Sequence, residues 1–162
     1  GGDVVINGTN SLVESNVISD AGLYFAWGPN TGQEVPTLDV SQVTFTQNSL
    51  KDGAVGLLHV LGDPVAPAFT GVIHLHDMKI SSGYQDNLVG TQMGIFVDLS
   101  NKQSATVNMT MKNVTFSYNE GPTTGLNLLK VKSPSGNPMN VLVDDVTMAN
   151  NSCPGSTVCP SK

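Results

Sequence analysis

The chain contains no arginine. Its seven basic residues are all lysine, and they are scattered. A nucleic-acid surface needs clustered cationic side chains to neutralise phosphates, so that class of partner is set aside. Charged residues of both signs make up only 12% of the chain, about half the usual share, and the net charge is −6. No apolar run approaches the roughly 18 residues of a membrane span. The opening GGDVVINGTN has no basic segment followed by an apolar one, so it is not a signal peptide. It reads as a processed product or as a piece of a longer chain. Cysteine is scarce too. Cys153 and Cys159 lie six apart in CPGSTVCP, with Pro and Gly between them. They are expected to close a small disulfide loop that pins the tail 153–162, as suits an oxidising compartment. The alternatives are two free thiols or two metal ligands. Zinc needs about four ligands, and no His or further Cys lies nearby, so no metal or other cofactor is expected.

What is present is turn chemistry and apolar strand formers. The chain has 162 residues, enough for one domain with a core. It carries 17 Gly, 9 Pro and 15 Asn, and its apolar set leans to Val, Leu, Ile and Phe. Long stretches of Ala, Glu, Lys and Leu are missing. An all-β chain with many turns follows.

The stretch QVTFTQNSL (42–50) returns as NVTFSYNEG (113–121) and as DVTMANNSC (145–153). Aligning the copies gives a longer template with two alternating apolar pairs, separated by two residues and followed by Asn. It reads Leu38, Val40, Val43, Phe45, Asn48. It recurs as Ile73, Leu75, Met78, Ile80, Gly83, then as Met109, Met111, Val114, Phe116, Asn119. The last copy is Val141, Val143, Val146, Met148, Asn151. A degenerate first copy reads Ile6, Gly8, Ser11, Val13, Asn16. Alternation with period two means a strand with one buried face. The two-residue insertion resets the phase, as a corner between two short strands would. Asn16, Asn48, Gly83, Asn119 and Asn151 are expected to form a turn ladder at equivalent corners. Asn and Gly both tolerate the left-handed backbone of a tight turn.

A second apolar block follows each turn and opens with Gly: Gly22, Gly56, Gly94 and Gly125. Polar, Gly- and Pro-rich loops come next. One unit is then two short strands, a turn, a third strand and a loop back. Such units stack as a parallel β-solenoid, here about five coils of roughly 32–36 residues forming one domain over 1–162.

This pattern resembles the right-handed parallel β-helix superfamily, the pectin-lyase-like fold. FTQN (45–48) and FSYN (116–119) are also similar to the F-x-x-N element of polymorphic outer membrane protein repeats, and DGAVGLL (52–58) to its G-G-A-I element. Those relatives are surface-exposed adhesins and autotransporter passengers. The superfamily also implies an enzyme. Its pectate lyases use an Arg base with Asp ligands for calcium, and this chain has no Arg. Its polygalacturonases carry N-T-D, paired Asp, H-G and R-I-K motifs. Only the pair Asp144–Asp145 is present, so no catalytic residue carries over.

The outward columns offer a separate search. Asp39, His74, Thr110 and Leu142 should align, as should Ser41, His76, Lys112 and Asp144. Gln42, Asp77, Asn113 and Asp145 form a third set. Asp77 and Asp145 would stand about 10 Å apart, near the spacing of an inverting carboxylate pair. The plainer reading is a solvated sheet face. His74 and His76 lack an evident third metal ligand, and His59 reads as structural. Four N-x-S/T sequons, at Asn7, Asn108, Asn113 and Asn150, fall on outward or turn positions and are the expected glycan sites. In the third strand, Tyr24, Leu58 and Phe96 should form an outward apolar column, read as an assembly surface; covered by the loop DPVAPAF (63–69), it would instead be ordinary core.

The resulting expectation is a non-enzymatic, extracellular or cell-surface solenoid for adhesion or assembly, without cofactor. Its partners would be further copies of itself or the remainder of a longer surface protein. The alternative is a carbohydrate-binding or carbohydrate-cleaving β-helix.

Overall fold

A computed structural model describes residues 4–18, 21–27, 35, 37–51, 54–62, 70–85, 94–100, 106–121, 128–133 and 139–153. They form twelve strands and no helix. The strands are β1 (Val4–Glu14), β2 (Val17–Ile18), β3 (Ala21–Trp27), β4 (Thr37–Thr46), β5 (Ser49–Leu50) and β6 (Gly56–Gly62). They continue as β7 (Thr70–Ser81), β8 (Tyr84–Gln85), β9 (Ile95–Asp98), β10 (Thr106–Ser117), β11 (Leu129–Lys132) and β12 (Asn140–Ala149). Among the described residues no helix is long and apolar enough to cross a membrane.

The chain visits three parallel sheets in turn. The largest runs β1-β4-β7-β10-β12, the second β3-β6-β9-β11, and the smallest β2-β5-β8. Every strand therefore pairs with its counterpart one repeat away, an arrangement compatible with a β-solenoid. The apolar template explains the register. Phe45 pairs with Ile80, Ile80 with Phe116, and Phe116 with Met148. Phe45, Ile80 and Phe116 are fully buried. Leu38, Ile73 and Met109 stack in the same way, as do Val40, Leu75 and Met111.

The two short strands expected in each repeat are one bent strand. Pairing continues on both sides of a single left-handed residue: Gln42, Asp77, Asn113 or Asp145, with φ between 51° and 57°. One such residue swings the chain and shifts the alternation by a step, so the strand need not end. Asp and Asn accept this conformation more readily than most residues.

The first repeat is also registered differently. Val4 pairs with Leu38 and Ile6 with Val40, so Gly8 does not fill the slot aligned with Val40, although it is buried beside Val43. The register shifts between Asn7 and Ser11, where residues 8–10 stand opposite Gln42 alone. This bulge breaks the period of two and hides the true alignment.

The turn ladder occupies equivalent places, but for a different physical reason. The left-handed residue at this corner is the preceding one: Ser15, Gln47, Ser82, Tyr118 or Asn150. The asparagines that follow in the later repeats turn inward, and Asn48, Asn119 and Asn151 are buried. Their amides supply hydrogen bonds to the corner backbone. Asn48 Oδ1 accepts from the Asn16 backbone N–H and from Asn16 Nδ2, both at 3.1 Å. Asn48 Nδ2 donates to the Val13 carbonyl at 2.8 Å. Asn119 Oδ1 accepts from Gly83 N at 3.1 Å, and Asn119 Nδ2 donates to the Ile80 carbonyl at 3.1 Å. Asn151 repeats the pattern toward Asn119 and the Phe116 carbonyl, each bond at 3.0 Å. Gly83 is a rung with no amide, rather than a glycine chosen for a left-handed turn.

Among the block-opening glycines, Gly94 has φ +112°, and a Cβ there would stand 2.1 Å from the Leu128 carbonyl oxygen. Gly56 pairs with Ala21, not Gly22, so the second block sits one residue from its expected register. Gly125 lies outside the described residues.

Asn119→Ala leaves the buried Gly83 N–H and Ile80 carbonyl without these bonds and should cost at least about 2 kcal/mol in urea unfolding. Gly83→Asn should add about 1 kcal/mol by completing the ladder, whereas a loss would show that the space at this corner is filled. Gly94→Ala should destabilise by more than about 1 kcal/mol, since neither the backbone angle nor Leu128 admits a Cβ. An unchanged melting temperature in that variant would contradict the close approach.

Candidate functional site

The outer face of the five-stranded sheet gathers most of the titratable side chains that the repeat aligns. Asp39, His74, Thr110 and Leu142 form one column in register, and Ser41, His76, Lys112 and Asp144 form the next. The left-handed backbone at residue 77 places Asp77 directly after His76 on the same exposed corner. There, His76 Nδ1 stands 2.7 Å from Asp77 Oδ2. His76 Nε2 stands 3.2 Å from Asp39 Oδ1 on the neighbouring strand. The second contact has ion-pair distance but not hydrogen-bond alignment, so Asp39 Oδ1 is buried without a hydrogen-bond donor. A neutral imidazole donates through one nitrogen, and only the imidazolium donates through both. Asp77 Oδ1 accepts from Asn113 Nδ2 at 2.7 Å.

The result is a histidine between two carboxylates, with both oxygens of Asp77 engaged. The Asp77 carboxyl is held below the ordinary carboxylate range, first by the His76 hydrogen bond and then by the one from Asn113. Asp145, the other half of the carboxylate pair suggested by spacing, is exposed on β12, with Asn113 on the strand between. Among the described residues, no group of three His, Cys, Asp or Glu side chains is placed to hold a metal ion. General acid–base chemistry needs a proton carrier within reach of a bound substrate. Asp77 is instead committed to protein donors.

The outer face of the four-stranded sheet corrects the expected assembly column. Leu58 is 0% exposed and pairs with Leu23 and Ile95, inside the core. The outward residue between Tyr24 and Phe96 is His59. The one-residue misregister at Gly56 exchanged the two faces in that repeat, and in the last repeat Leu129 pairs with Ile95, so the block opened by Gly125 is displaced as well. His59 lies flat on Phe96, with centroids 5.1 Å apart and planes 4° apart, while Tyr24 leans on it at 5.3 Å. Lys130 and Lys132 place their ammonium groups 5.6 and 5.2 Å from the Phe96 ring centre. Tyr24 is exposed, but His59 and Phe96 are buried, so the column is not an open apolar surface.

Lys132 also pairs with Asp98 at 2.8 Å, directly across the strands. Burial pushes the Asp98 carboxyl up, but hydrogen bonds from Lys132 and Ser100 outweigh it and hold the group low.

Asn7, Asn108, Asn113 and Asn150 are all exposed. Asn7 lies in the β1 bulge and accepts from Thr9 Oγ1 at 3.2 Å. Asn108 accepts from Asn140 Nδ2 at 2.9 Å. Cys153 is buried and disulfide-bonded, while Cys159 and the rest of the tail lie outside the described residues. The alignment of the outer columns was legible in the sequence, but the His76 pairing was not. It depends on the left-handed turn at Asp77, which only the unusual two-residue insertion hinted at.

The depressed carboxyls set a pH dependence. For Asp77 and Asp98 the folded pKa lies under the unfolded one. Each therefore contributes stability that is present above the unfolded carboxylate pKa, about 3.9, and is lost as pH falls through the folded value. In His76→Ala the Asp77 carboxyl titration, followed by carbon NMR, should move up toward the ordinary range. An unmoved titration would show that His76 does not hold it down.

Comparison with protein-family models, with curated proteins and with solved structures finds no match for this chain.

Proposed function

We propose that the chain is a right-handed parallel β-helix of about five coils, of pectin-lyase-like type. Its role is structural: an extracellular or surface-exposed solenoid for adhesion or assembly, joined to further copies of itself as a filament subunit or to the remainder of a longer surface protein. One observation carries this reading. The core columns run out into solvent at the last strand. Met109 and Met111 are 1% and 0% exposed, while their register partners on β12, Val141 and Val143, are 43% and 52% exposed. Among the described residues these side chains belong to interior columns that no further strand covers, and with the free edge of β12 they make a surface suited to one more parallel strand, of another copy or of the remainder of a longer chain.

Other features agree. The disulfide at Cys153 suits an oxidising compartment. The exposed sequons at Asn7, Asn108, Asn113 and Asn150 suit glycan attachment in a secretory pathway. The engaged carboxylate of Asp77 argues for a structural cluster rather than a catalytic one. The alternative of a carbohydrate-binding or carbohydrate-cleaving β-helix draws on His76 standing between Asp39 and Asp77.

Sedimentation velocity over a wide concentration range tests the proposal. The expected outcome is association that grows with concentration, with no release of oligosaccharides from pectin-like polymers. A monomer throughout would contradict the assembly role. Polymer cleavage that disappears in Asp77→Asn would favour the alternative.

A further inference from the structure

The corner after each long strand holds one residue in the left-handed region, and at four of the five corners it is polar and non-aromatic: Ser15, Gln47, Ser82 and Asn150. The fifth is Tyr118, at φ 56°. A bulky side chain in this conformation is an outlier that costs conformational energy. Burial does not offset that cost, because Tyr118 is 64% exposed. Ser82 and Asn150 flank it on the two neighbouring repeats, so its exposure does not depend on where the described residues end.

Beside this ring stands a sequon. Ser117 pairs with Ala149, and Glu120 bridges Ser152, which sets Tyr118 opposite Asn150. Neighbouring strands lie about 4.8 Å apart. Within Asn150–Asn151–Ser152 the first and last residues are exposed, and only Asn151 turns into the buried ladder. A group attached at Asn150 therefore leaves the corner bonds of Asn151 in place. On the other side of Tyr118, Tyr84 is 46% exposed and bridges Glu120. Two open tyrosines thus follow Asn150 along one edge. The other sequons have no such neighbour among the described residues. Asn7 pairs with Ser41, and Asn108 with Val72 and Asn140. Asn113 has its Nδ2 bonded to Asp77 Oδ1.

We propose that Asn150 carries an N-linked glycan whose first sugar lies on the Tyr118 ring, directed along the corner toward Tyr84. The inference rests on the secretory-pathway reading above and adds the modified residue and its platform. In the transfer, Asn150 Nδ2 bonds to the anomeric carbon of a lipid-linked glycosyl diphosphate. That carbon's bond to oxygen breaks, and the diphosphate and one Nδ2 proton leave. The amide keeps its other N–H. A sugar ring presents a face of C–H bonds, and the negative face of an aromatic ring attracts their positive hydrogens. The contact gives the exposed Tyr118 ring a partner at the one corner where a ring is present.

The test uses the full chain, disulfide intact, secreted from a eukaryotic host that attaches N-glycans. Peptide mapping by mass spectrometry should find Asn150 occupied. Tyr118→Asn then separates a platform from ordinary packing, because Asn accepts the left-handed backbone better than Tyr. In an Asn150→Gln background, which places at this corner the residue type of Gln47, Tyr118→Asn should leave the melting temperature unchanged or raise it. With the glycan present, it should lower the melting temperature by about 2–4 °C, as loss of one aromatic contact would. Proton NMR should show the ring protons of the first sugar shifted upfield in the native chain and not in Tyr118→Asn. An occupied Asn150 with no upfield shift, and the same response to Tyr118→Asn in both backgrounds, would overturn the platform. A bare Asn150 with Asn7 or Asn108 occupied would overturn this site and leave the secretory reading standing. A secreted chain with no glycan at any sequon would overturn both.

Discussion

The corner after each long strand is the constraint on which the rest of the structure depends. There the backbone turns sharply while its amides and carbonyls are close to the core. A buried backbone group without a partner costs about as much as a lost hydrogen bond. After β4, β10 and β12 the chain meets this with a left-handed residue followed by an inward asparagine, whose amide serves the corner of the adjacent repeat. Because each rung bonds to its neighbour rather than to itself, the corner is satisfied only when repeats stack in register. The same register places Phe45, Ile80 and Phe116 over one another. Polar ladder and apolar column therefore specify a single alignment, which is the kind of consistency that makes a sequence foldable.

That alignment also decides what the outer faces can do. Parallel stacking brings residues from strands some 35 positions apart into neighbouring rows, which is how Asp39, His76 and Asn113 come to surround one corner. The cluster is held by its own contacts. On the second sheet, the Tyr24, His59 and Phe96 column is capped by two lysines and is largely buried. Among the described residues, the interior columns are uncovered at β12, where Val141 and Val143 are exposed.

Much of this was legible in the sequence because stacking leaves a periodic trace. The apolar slots of β4, β7, β10 and β12 were readable residue by residue, and the outer columns came with them. Three things were not legible. In β1, the bulge at Asn7 to Ser11 broke the period, so Ile6 and Gly8 were read into the two slots that Val4 and Ile6 occupy. In β6, two adjacent apolar residues, Leu57 and Leu58, gave no alternation to fix the phase, and both are buried. At the corner, Asn48 and Asn119 were read for their backbone tolerance. Their side-chain bonding is long-range and leaves no local pattern, apart from the repetition of Asn itself.

The central claim is that each buried asparagine ties its corner to the adjacent repeat. Hydrogen exchange of the Gly83 backbone amide, followed by NMR, measures that tie directly. The Gly83 amide should be protected in the native chain and should exchange much faster in Asn119→Ala. An amide that exchanges equally fast in both would contradict the ladder.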